Sequence, residues 1–404
     1  MFERRSILAG TSASLIAAAF NSYHASADEV VDVRIDPNSL SPEYIKRHTV
    51  RFPKLDEDSY MNFVEGAKRW HSRTQGGEWT RHTENFLKSK GRSMLDDTEL
   101  DYEAAFDTML QDPVYAARVR VQWTLQDLMW DRAVRFFHKN SDVYYAAMEA
   151  TDKSGPGKLE LNPGLVLPEY TLHEIHRQPG GYVGDPFGGW VYHWSLSQAF
   201  YQGKRHDEIH VALAQSHDQP EDAEVNRILD IGCSSGMTTT AYKERFPNAE
   251  VWGVDVGGPM VRYAHHRAVK MGLDCNFRQA LAEDTGFPDN HFDMVHDFFL
   301  FHEVSAEGAE KIVKEMFRVM RPGGTWKHND IPTEGNPQNK PSKTILGKAA
   351  AWNSLRGNYE PWWVECLSAD FPGMLRKAGF IVELGAPGPN GVYGQGKVVA
   401  TKPA

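Results

Sequence analysis

Cysteine is scarce in this chain of 404 residues. The three cysteines, Cys233, Cys275 and Cys366, lie far apart and form no C-x-x-C pair. An odd and scattered set of this kind gives no disulfide framework and no zinc knuckle. His173 and His176 are three residues apart, but no third ligand is evident near them, so we predict no metal site.

The chain also lacks an excess of positive charge and, after residue 27, any long apolar run. Its 44 Lys and Arg residues stand against 54 Asp and Glu residues, which gives a formal net charge of -10. Phosphate contacts need clustered Lys and Arg, so no nucleic-acid partner is predicted. The lack of a long apolar run predicts no integral membrane segment in the mature chain. What remains is an ordinary globular composition, 41% hydrophobic and 24% charged, with room for two domains.

Residues 1–27 have the features of a secretory signal of the twin-arginine kind. Two adjacent arginines at 4–5 precede a short apolar run over 7–20, and Ala-Ser-Ala at 25–27 fits an A-x-A cleavage pattern. We therefore expect a signal peptide at 1–27 and a mature chain that starts at Asp28. The predicted location is periplasmic through twin-arginine export, or cytoplasmic if this segment is not a signal.

Two patterns follow before residue 226. Residues 28–153 show helical periodicity with almost no strand signals, which predicts an all-helical N-terminal domain. Residues 154–225 are rich in glycine and proline at their start, and are typical of a linker or an extended crossing segment.

Strand-like and helical segments alternate from residue 226 to residue 404. The strand-like runs are RILDIG, EVWGVDV, FDMVHDFF, GTWKHNDI, FIVELGA and GKVVATK, and helical patterns separate most of them. This alternation predicts an α/β domain with a mostly parallel sheet and helices on both faces.

The first of these strands ends in LDIGCSSG and leads directly into a predicted helix. Gly232 and Gly236 allow a backbone to approach a ligand closely, and the helix beyond offers unpaired N–H groups. The run G-C-S-S-G-M does not match the dinucleotide pattern G-x-G-x-x-G, and Asp230 would repel a pyrophosphate. An acid here suits a ligand with an ammonium group beside its carboxylate. Asp255, at the end of the next strand, is placed to accept hydrogen bonds from a ribose, although this spacing alone does not separate NAD from S-adenosylmethionine.

Four motifs in order, LDIGCSSG, GVDVGGPM, AEDTGFPDNHFDMV and RVMRPGG, resemble those of the class I S-adenosylmethionine-dependent methyltransferases. The likeness is greatest to the small-molecule branch that includes the quinone and sterol C-methylating enzymes. It is carried by residues 226–331 and implies a Rossmann-like seven-stranded sheet, with GKVVATK as an antiparallel last strand. It also implies S-adenosyl-L-methionine as cofactor and methyl transfer to a small apolar or aromatic acceptor.

The resemblance assigns cofactor roles position by position. It implies that Asp230 meets the methionyl amino group and that Asp255 holds the ribose. The remaining implied contacts are Gly232, Cys233, Ser234 and Gly236 along the methionyl and ribose path, Val256 and Met260 beside the adenine, Ala282 and Glu283 at its polar edge, and Asp297 and Phe298 near the sulfonium. Ser234 stands where the family has a middle glycine, and Leu281 stands where an acid often precedes the Ala-Glu pair.

The sequence also offers candidates for proton transfer and for substrate enclosure. Histidine or glutamate near the strand ends can take a proton from a phenol, enol or amine, and the catalytic candidates are His296, His302, Glu303 and His328. The resemblance implies a lid before the sheet, for which the candidates are Tyr182, Asp185, Tyr192 and His193. The aromatic run NYEPWW at 358–363 either walls an acceptor pocket or packs one domain on the other.

Two other functions remain open at this point. One is a catalytically silent protein that keeps the methyltransferase fold for binding or assembly. The other is an NAD-dependent oxidoreductase, which the glycine spacing disfavours. The acceptor, the methylated atom and the oligomeric state are not indicated by the sequence.

Overall fold

The computed structural model describes residues 32–36, 39–196, 207–222, 224–385 and 398–404. The expected signal at 1–27 lies outside the described residues, as does the position of its cleavage site. The C-terminal end of the strand-like run FIVELGA and the first residues of GKVVATK also lie outside them.

The first half of the described chain is helical. Its helices are α1 (Pro42–His48), α2 (Leu55–Arg69), α3 (Gly76–Ser89), α4 (Tyr102–Leu110), α5 (Pro113–Lys139) and α6 (Ser141–Glu149), with a π-helical turn over Trp70–Thr74 between α2 and α3. Asp112 caps the amino end of the long helix α5. Its side chain accepts a hydrogen bond from the Val114 amide at 3.0 Å. Pro113 follows as the first helical residue, where its missing N–H costs nothing.

An aromatic core joins this helical half to the rest of the protein. Two further helices, α7 (Gly188–Ser195) and α8 (Glu208–Gln215), precede the sheet. Trp190 of α7 packs against Phe137 of α5 at 5.6 Å and against Tyr263, which lies in the second half, at 4.7 Å between ring centroids. These buried rings make the two halves share one hydrophobic cluster.

The second half is built on an eight-stranded sheet. Its strands are β1 (Leu159–Glu160), β2 (Arg227–Ile231), β3 (Glu250–Asp255), β4 (Cys275–Gln279), β5 (Phe292–Phe298), β6 (Met320–Asn329), β7 (Ile381–Leu384) and β8 (Val398–Thr401), in the order β1-β4-β3-β2-β5-β6-β8-β7. β8 runs antiparallel to both of its neighbours, and the other pairings are parallel. The predicted α/β class and the antiparallel last strand are confirmed.

The sheet differs from the expectation in two strands. The additional strand, β1, comes from the glycine- and proline-rich segment and forms an edge of the sheet, where it pairs in parallel with β4 and places Leu159 opposite Phe277. β4 is absent from the six strand-like runs read from the sequence. Its five residues, CNFRQ, carry too few apolar side chains to stand out from the surrounding loop.

Helices cover both faces of this sheet, as predicted. They are α9 (Met237–Arg245), α10 (Gly258–Met271), α11 (Ala306–Val319), α12 (Ile345–Gly357), α13 (Trp363–Leu367) and α14 (Phe371–Ala378). Among the described residues, no helix combines the length and the hydrophobicity that crossing a membrane requires.

The sheet order fixes where a ligand can bind. β4, β3, β2, β5 and β6 are adjacent and parallel, so their carboxyl ends lie side by side at one edge. The order along the chain reverses at β2, and a crevice opens at such a switch point. The loops after these five strands are therefore expected to line one elongated site.

Candidate active site

A cavity of about 420 Å³ lies at the carboxyl edge of the sheet. Each of the five central strands contributes to its wall, through Glu283 after β4, Asp255 at the end of β3, Gly232 after β2, Glu303 after β5 and Ile331 after β6. Because these strands are adjacent in that order, the cavity runs from the β4 side of the sheet to the β6 side. A site of this shape can hold two groups next to each other.

Asp255 ties the tip of β3 to the loop after β2. Its Oδ2 accepts a hydrogen bond from the Ser234 amide and its Oδ1 accepts one from the Gly257 amide, both at 2.8 Å. Burial raises the pKa of Asp255 to about 6, although these two hydrogen bonds oppose the rise. Ser234 takes a left-handed backbone conformation, with φ of 51°, at the position where the family has a glycine.

Two other side chains hold the carboxylate of Asp230 in place. Its Oδ2 accepts a hydrogen bond from the Thr239 hydroxyl at 2.6 Å, and its Oδ1 lies 3.2 Å from His296 Nδ1. Asp230 also contributes to the cavity wall. Its carboxylate is thus fixed in place next to the space in which a ligand's ammonium group would lie.

The residues present fit S-adenosylmethionine. Gly232 lines the cavity with φ of 62°, a conformation that L side chains rarely adopt. Glu283 accepts a hydrogen bond from the Tyr170 hydroxyl through Oε1, whereas its buried Oε2 has no partner among the described residues. A free carboxylate oxygen on the β4 side can accept from the amino group of an adenine. Asp255 and Asp230 are then placed for ribose hydroxyls and an ammonium group.

Ten of the twelve predicted cofactor residues line this cavity. They are Asp230, Gly232, Cys233, Ser234, Asp255, Val256, Met260, Ala282, Glu283 and Phe298. Burial raises the pKa of the Cys233 thiol well above its usual range, so this residue is a small neutral wall group and not a nucleophile.

Gly236 and Asp297 do not line the cavity. A Cβ at Gly236 would come within 2.8 Å of the Ala264 Cβ, so this glycine serves the packing of α10 on the loop. The side chains of a strand alternate between its two faces, and Asp297 points away from the face of Phe298. Its carboxylate accepts a hydrogen bond from Trp326 Nε1 at 2.8 Å and lies 2.9 Å from His328 Nδ1.

The four catalytic candidates also divide into residues that line the cavity and residues that do not. His302 and Glu303 line the cavity, and His296 and His328 do not. His296 is fully buried behind Asp230, and His328 stacks on Phe371 with 3.9 Å between ring centroids. A base that must touch an acceptor is therefore limited, among these four, to His302 and Glu303.

His302 and Glu303 differ in charge. His302 Nδ1 lies 2.6 Å from Asp330 Oδ1. Burial alone would lower the pKa of His302, but Asp330 raises it to about 9, so the imidazole is protonated at neutral pH. Burial raises the pKa of Glu303 to about 7, and the nearby His176 and His302 limit that rise. Glu303 is thus the one of the two that changes its protonation near neutral pH.

Two of the four lid candidates reach the cavity. Tyr182 and Tyr192 line it and pack edge to face at 5.5 Å. Asp185 instead lies 3.0 Å from His138 Nε2, and His193 Nδ1 lies 2.6 Å from the Tyr263 hydroxyl oxygen. These last two side chains connect elements of the shared core and do not enclose a ligand.

Sequence reasoning missed several wall residues. Tyr170 and His176 come from the glycine- and proline-rich segment, in which no periodic pattern marks a ligand contact. The run NYEPWW contributes Asn358, Glu360 and Trp363 to the wall. The aromatic residues of this run indicated a possible pocket wall in the sequence, but no sequence pattern indicated a role for the buried acid Glu360.

Comparisons with known proteins agree with this geometry. Residues 228–324 match the family model described as "Methyltransferase domain". The chain is 40% identical over 98 residues to a demethylmenaquinone methyltransferase of Thermus thermophilus, and this alignment covers 24% of this chain and 44% of the relative. It is 32% identical over 127 residues to a ubiquinone/menaquinone biosynthesis C-methyltransferase UbiE of Pseudomonas paraeruginosa, and this alignment covers 31% of this chain and 46% of the relative. The chain thus spans less than half the length of these curated relatives.

The comparison with solved structures includes matches to part of this chain in two further proteins. One is a putative S-adenosyl-L-methionine-dependent methyltransferase from Methanococcus maripaludis, with a TM-score of 0.40 and 14% identity over 55% of this chain and 94% of that one. The other is phosphoethanolamine N-methyltransferase 2 of Haemonchus contortus, with a TM-score of 0.38 and 17% identity over 54% of this chain and 58% of that one.

The family match covers the four motifs that carried the resemblance in the sequence. This chain therefore contains a class I S-adenosylmethionine-dependent methyltransferase domain, and S-adenosylmethionine is the cofactor of that domain. The resemblance to the class I methyltransferases that the sequence motifs indicated is confirmed.

Proposed function

We propose that this protein is an active methyltransferase that transfers a methyl group to a small aromatic acceptor. The observation that carries the proposal is the continuity of one cavity across five strand ends. Asp230 and Asp255 lie at the strand tips suited to a cofactor, and Glu303 lies on the neighbouring β5 side in the same cavity. Cofactor and acceptor can therefore lie next to each other inside one cavity.

The chain's own residues would supply alignment and proton transfer. Bound S-adenosylmethionine provides a methyl group on a sulfonium sulfur, which is the reactive part of the chemistry. Asp230 and Asp255 fix the two ends of the ligand's methionyl and ribose portions. Glu303 is then available to take the proton that the acceptor loses, because its pKa of about 7 matches neutral conditions. The protonated His302 stabilises the ionised form of Glu303.

The acceptor class rests on two supports. The curated relatives are named for demethylmenaquinone and for ubiquinone/menaquinone biosynthesis, so both names refer to quinone-related compounds. The wall of this cavity on the β5 side carries Phe299 and Trp363, and both rings contact His302, at 5.6 and 4.9 Å between centroids. Flat aromatic molecules pack well against such a wall.

Turnover is the experiment that tests the proposal. The purified protein is incubated with methyl-labelled S-adenosylmethionine and a panel of phenols and hydroquinones, and formation of S-adenosylhomocysteine is followed. We expect turnover with at least one aromatic acceptor and its loss in Asp255→Ala. Cofactor binding without turnover on any acceptor would favour the alternative, a catalytically silent protein that keeps this fold for binding or assembly.

We also propose export through the twin-arginine route, on the strength of the paired arginines and the A-x-A pattern at 25–27. Such export carries folded proteins, which is compatible with a cofactor bound before export. Fractionation of cells, with mass spectrometry of the first residue, tests this. Asp28 as first residue of a periplasmic protein is expected, and an intact Met1 in the cytoplasm would contradict it.

A further inference from the structure

The turn that carries His176 has an unusual backbone. His176 and Arg177 both have left-handed conformations, with φ of 58° and 61°. Neither residue is a glycine, so each conformation is strained and persists only when neighbouring groups hold it. Strain of this kind clusters at functional sites, and His176 lines the cavity.

The helical N-terminal half holds this turn. The carbonyl oxygen of His176 accepts hydrogen bonds from Trp130 Nε1 at 2.7 Å and from Gln126 Nε2 at 3.2 Å, and both donors belong to α5. Arg177 donates to Asp127, also on α5, at 2.6 and 2.9 Å. Arg177 donates in addition to the Gly357 carbonyl, at the end of α12, at 3.1 Å. The turn is thus fixed from two sides.

The imidazole of His176 lies between two carboxylates. Its Nε2 lies 3.4 Å from Glu303 Oε1, and its Nδ1 lies 2.9 Å from Glu360 Oε1. The Tyr182 hydroxyl donates to Glu303 Oε1 at 3.3 Å. We refer to His176, Tyr182, Glu303 and Glu360 as the head site. All four residues line the cavity, and they come from three separate segments of the chain.

One polar atom of the head site has no partner. Glu360 is 1% exposed and lines the cavity, and its Oε1 accepts a hydrogen bond from the side-chain Nδ2 of Asn358 at 2.9 Å. Its Oε2 is buried and has no hydrogen-bond partner among the described residues. A buried carboxylate oxygen without a donor is unfavourable, so the head site is complete only when a ligand or a water molecule donates to Oε2.

The charges around the head site indicate which donor fits. His302, on the far side of Glu303, is protonated at neutral pH because Asp330 raises its pKa to about 9. Its Nε2 lies 3.9 Å from Glu303 Oε1. A cationic donor bound at the head site would face this imidazolium. A neutral O–H donor satisfies Glu360 Oε2 without that repulsion.

We propose that the head site binds a hydroxyl group on the ring of an aromatic acceptor, with Glu360 accepting the hydrogen bond. This inference rests on the proposed function and names the feature by which the acceptor is recognised. Glu360 is the specificity-determining residue, and His176 is a positioning residue that keeps the Glu360 carboxylate in place. The helical N-terminal half acts in recognition by presenting His176.

Isothermal titration calorimetry with three 2-substituted naphthalenes tests the proposal. They are 2-naphthol, which donates through O–H, 2-methoxynaphthalene, which cannot donate, and 2-naphthylmethylammonium, which is charged. They are titrated into the protein with and without saturating S-adenosylhomocysteine. We expect 2-naphthol to bind about tenfold more tightly than 2-methoxynaphthalene, the effect of one hydrogen bond to a charged group. We also expect it to bind more tightly than the ammonium probe.

Glu360→Gln gives the sharpest comparison. The amide keeps the shape of the side chain but replaces a carboxylate oxygen by an NH₂ group, which can donate a hydrogen bond to the oxygen of either neutral probe. The preference for 2-naphthol should therefore fall to about onefold, while the affinity for S-adenosylhomocysteine stays unchanged. Glu365→Gln is the matched control, because Glu365 is exposed on α13 and does not line the cavity. This control should keep the preference.

Several results would overturn the proposal. They are equal binding of 2-methoxynaphthalene by the wild type, tighter binding of the ammonium probe, no binding of any probe, or a preference that survives in Glu360→Gln. Where circular dichroism shows that Glu360→Gln does not fold, His176→Asn is measured and judged by the same preference. A wild type that binds 2-naphthol but not S-adenosylhomocysteine would reject the methyltransferase proposal and leave the head site standing.

Discussion

The carboxylate of Asp255 accepts a hydrogen bond from the Ser234 amide at 2.8 Å, and this contact joins the tips of two neighbouring strands. It orients one oxygen of Asp255 and leaves its remaining lone pairs for a ligand. The same burial that protects the contact raises the pKa of Asp255 to about 6. Cofactor binding and proton binding therefore compete at this carboxylate.

Cofactor affinity should consequently depend on pH. We propose that ribose hydroxyls donate to the ionised form of Asp255, which is the major form above pH 6 and is lost as the pH falls through 6. We expect the affinity for S-adenosylhomocysteine to be about tenfold lower at pH 5 than at pH 7.5. Isothermal titration at both pH values measures this. Asp255→Asn should bind weakly at both, whereas Glu303→Gln should keep the dependence, and a flat wild-type profile would contradict the role of Asp255.

The left-handed conformation of Ser234 predicts a gain in stability on substitution. Ser234→Gly removes the steric cost of φ of 51° and should raise the free energy of unfolding by about 1 kcal/mol. Ser235→Gly is the neighbouring control, because Ser235 has no positive φ, and it should lower stability. Urea denaturation of both variants tests the difference. Equal losses in the two variants would show that Ser234 is not strained.

The ion pair between Arg267 and Asp207 predicts a large loss of stability. Both residues are buried, and the guanidinium of Arg267 holds the pKa of Asp207 well below its usual range despite burial. Arg267→Met leaves a buried carboxylate whose other neighbours are His48, at 3.0 Å, and His193, at 3.7 Å, and should cost about 3–5 kcal/mol. Lys311→Met removes an exposed partner of Glu307 and should change the denaturation midpoint little. Similar effects in both variants would contradict this account.

The link between α5 and the head site predicts an effect at a distance. Trp130→Phe removes the indole N–H that donates to the His176 carbonyl but keeps an aromatic ring in the core. The affinity for 2-naphthol should fall by about threefold to tenfold, and that for S-adenosylhomocysteine should stay the same. Trp70→Phe, at a half-exposed position, is the control. Parallel losses of both affinities in Trp130→Phe would indicate general damage instead.

The cofactor side of the site was largely predictable because it depends on local sequence. A strand, a glycine turn and a helix follow each other within LDIGCSSG and the residues after it, so Asp230 and Gly232 were placed by their neighbours along the chain. Asp297 shows the limit of this reasoning. One step along a strand reverses the face of a side chain, and no motif indicated whether Asp297 or Phe298 points to the cavity.

The acceptor side depends on contacts between distant segments. His176 reaches Glu303 and Glu360 only because Trp130 and Gln126 hold its turn, and these residues are separated by 46 and more positions in sequence. Their types carry no periodic signal, and a left-handed backbone such as that of His176 is uncommon outside glycine, so the sequence does not indicate it. Such a site becomes visible only when tertiary contacts are known.

Binding of S-adenosylhomocysteine is the most direct test of the central claim, which is that strand-tip carboxylates hold the cofactor. Calorimetric titration of the wild type at pH 7.5 should show one site with a dissociation constant on the order of micromolar, and Asp255→Ala should weaken it at least about a hundredfold. The absence of binding to the wild type, or an unchanged affinity in Asp255→Ala, would contradict the claim.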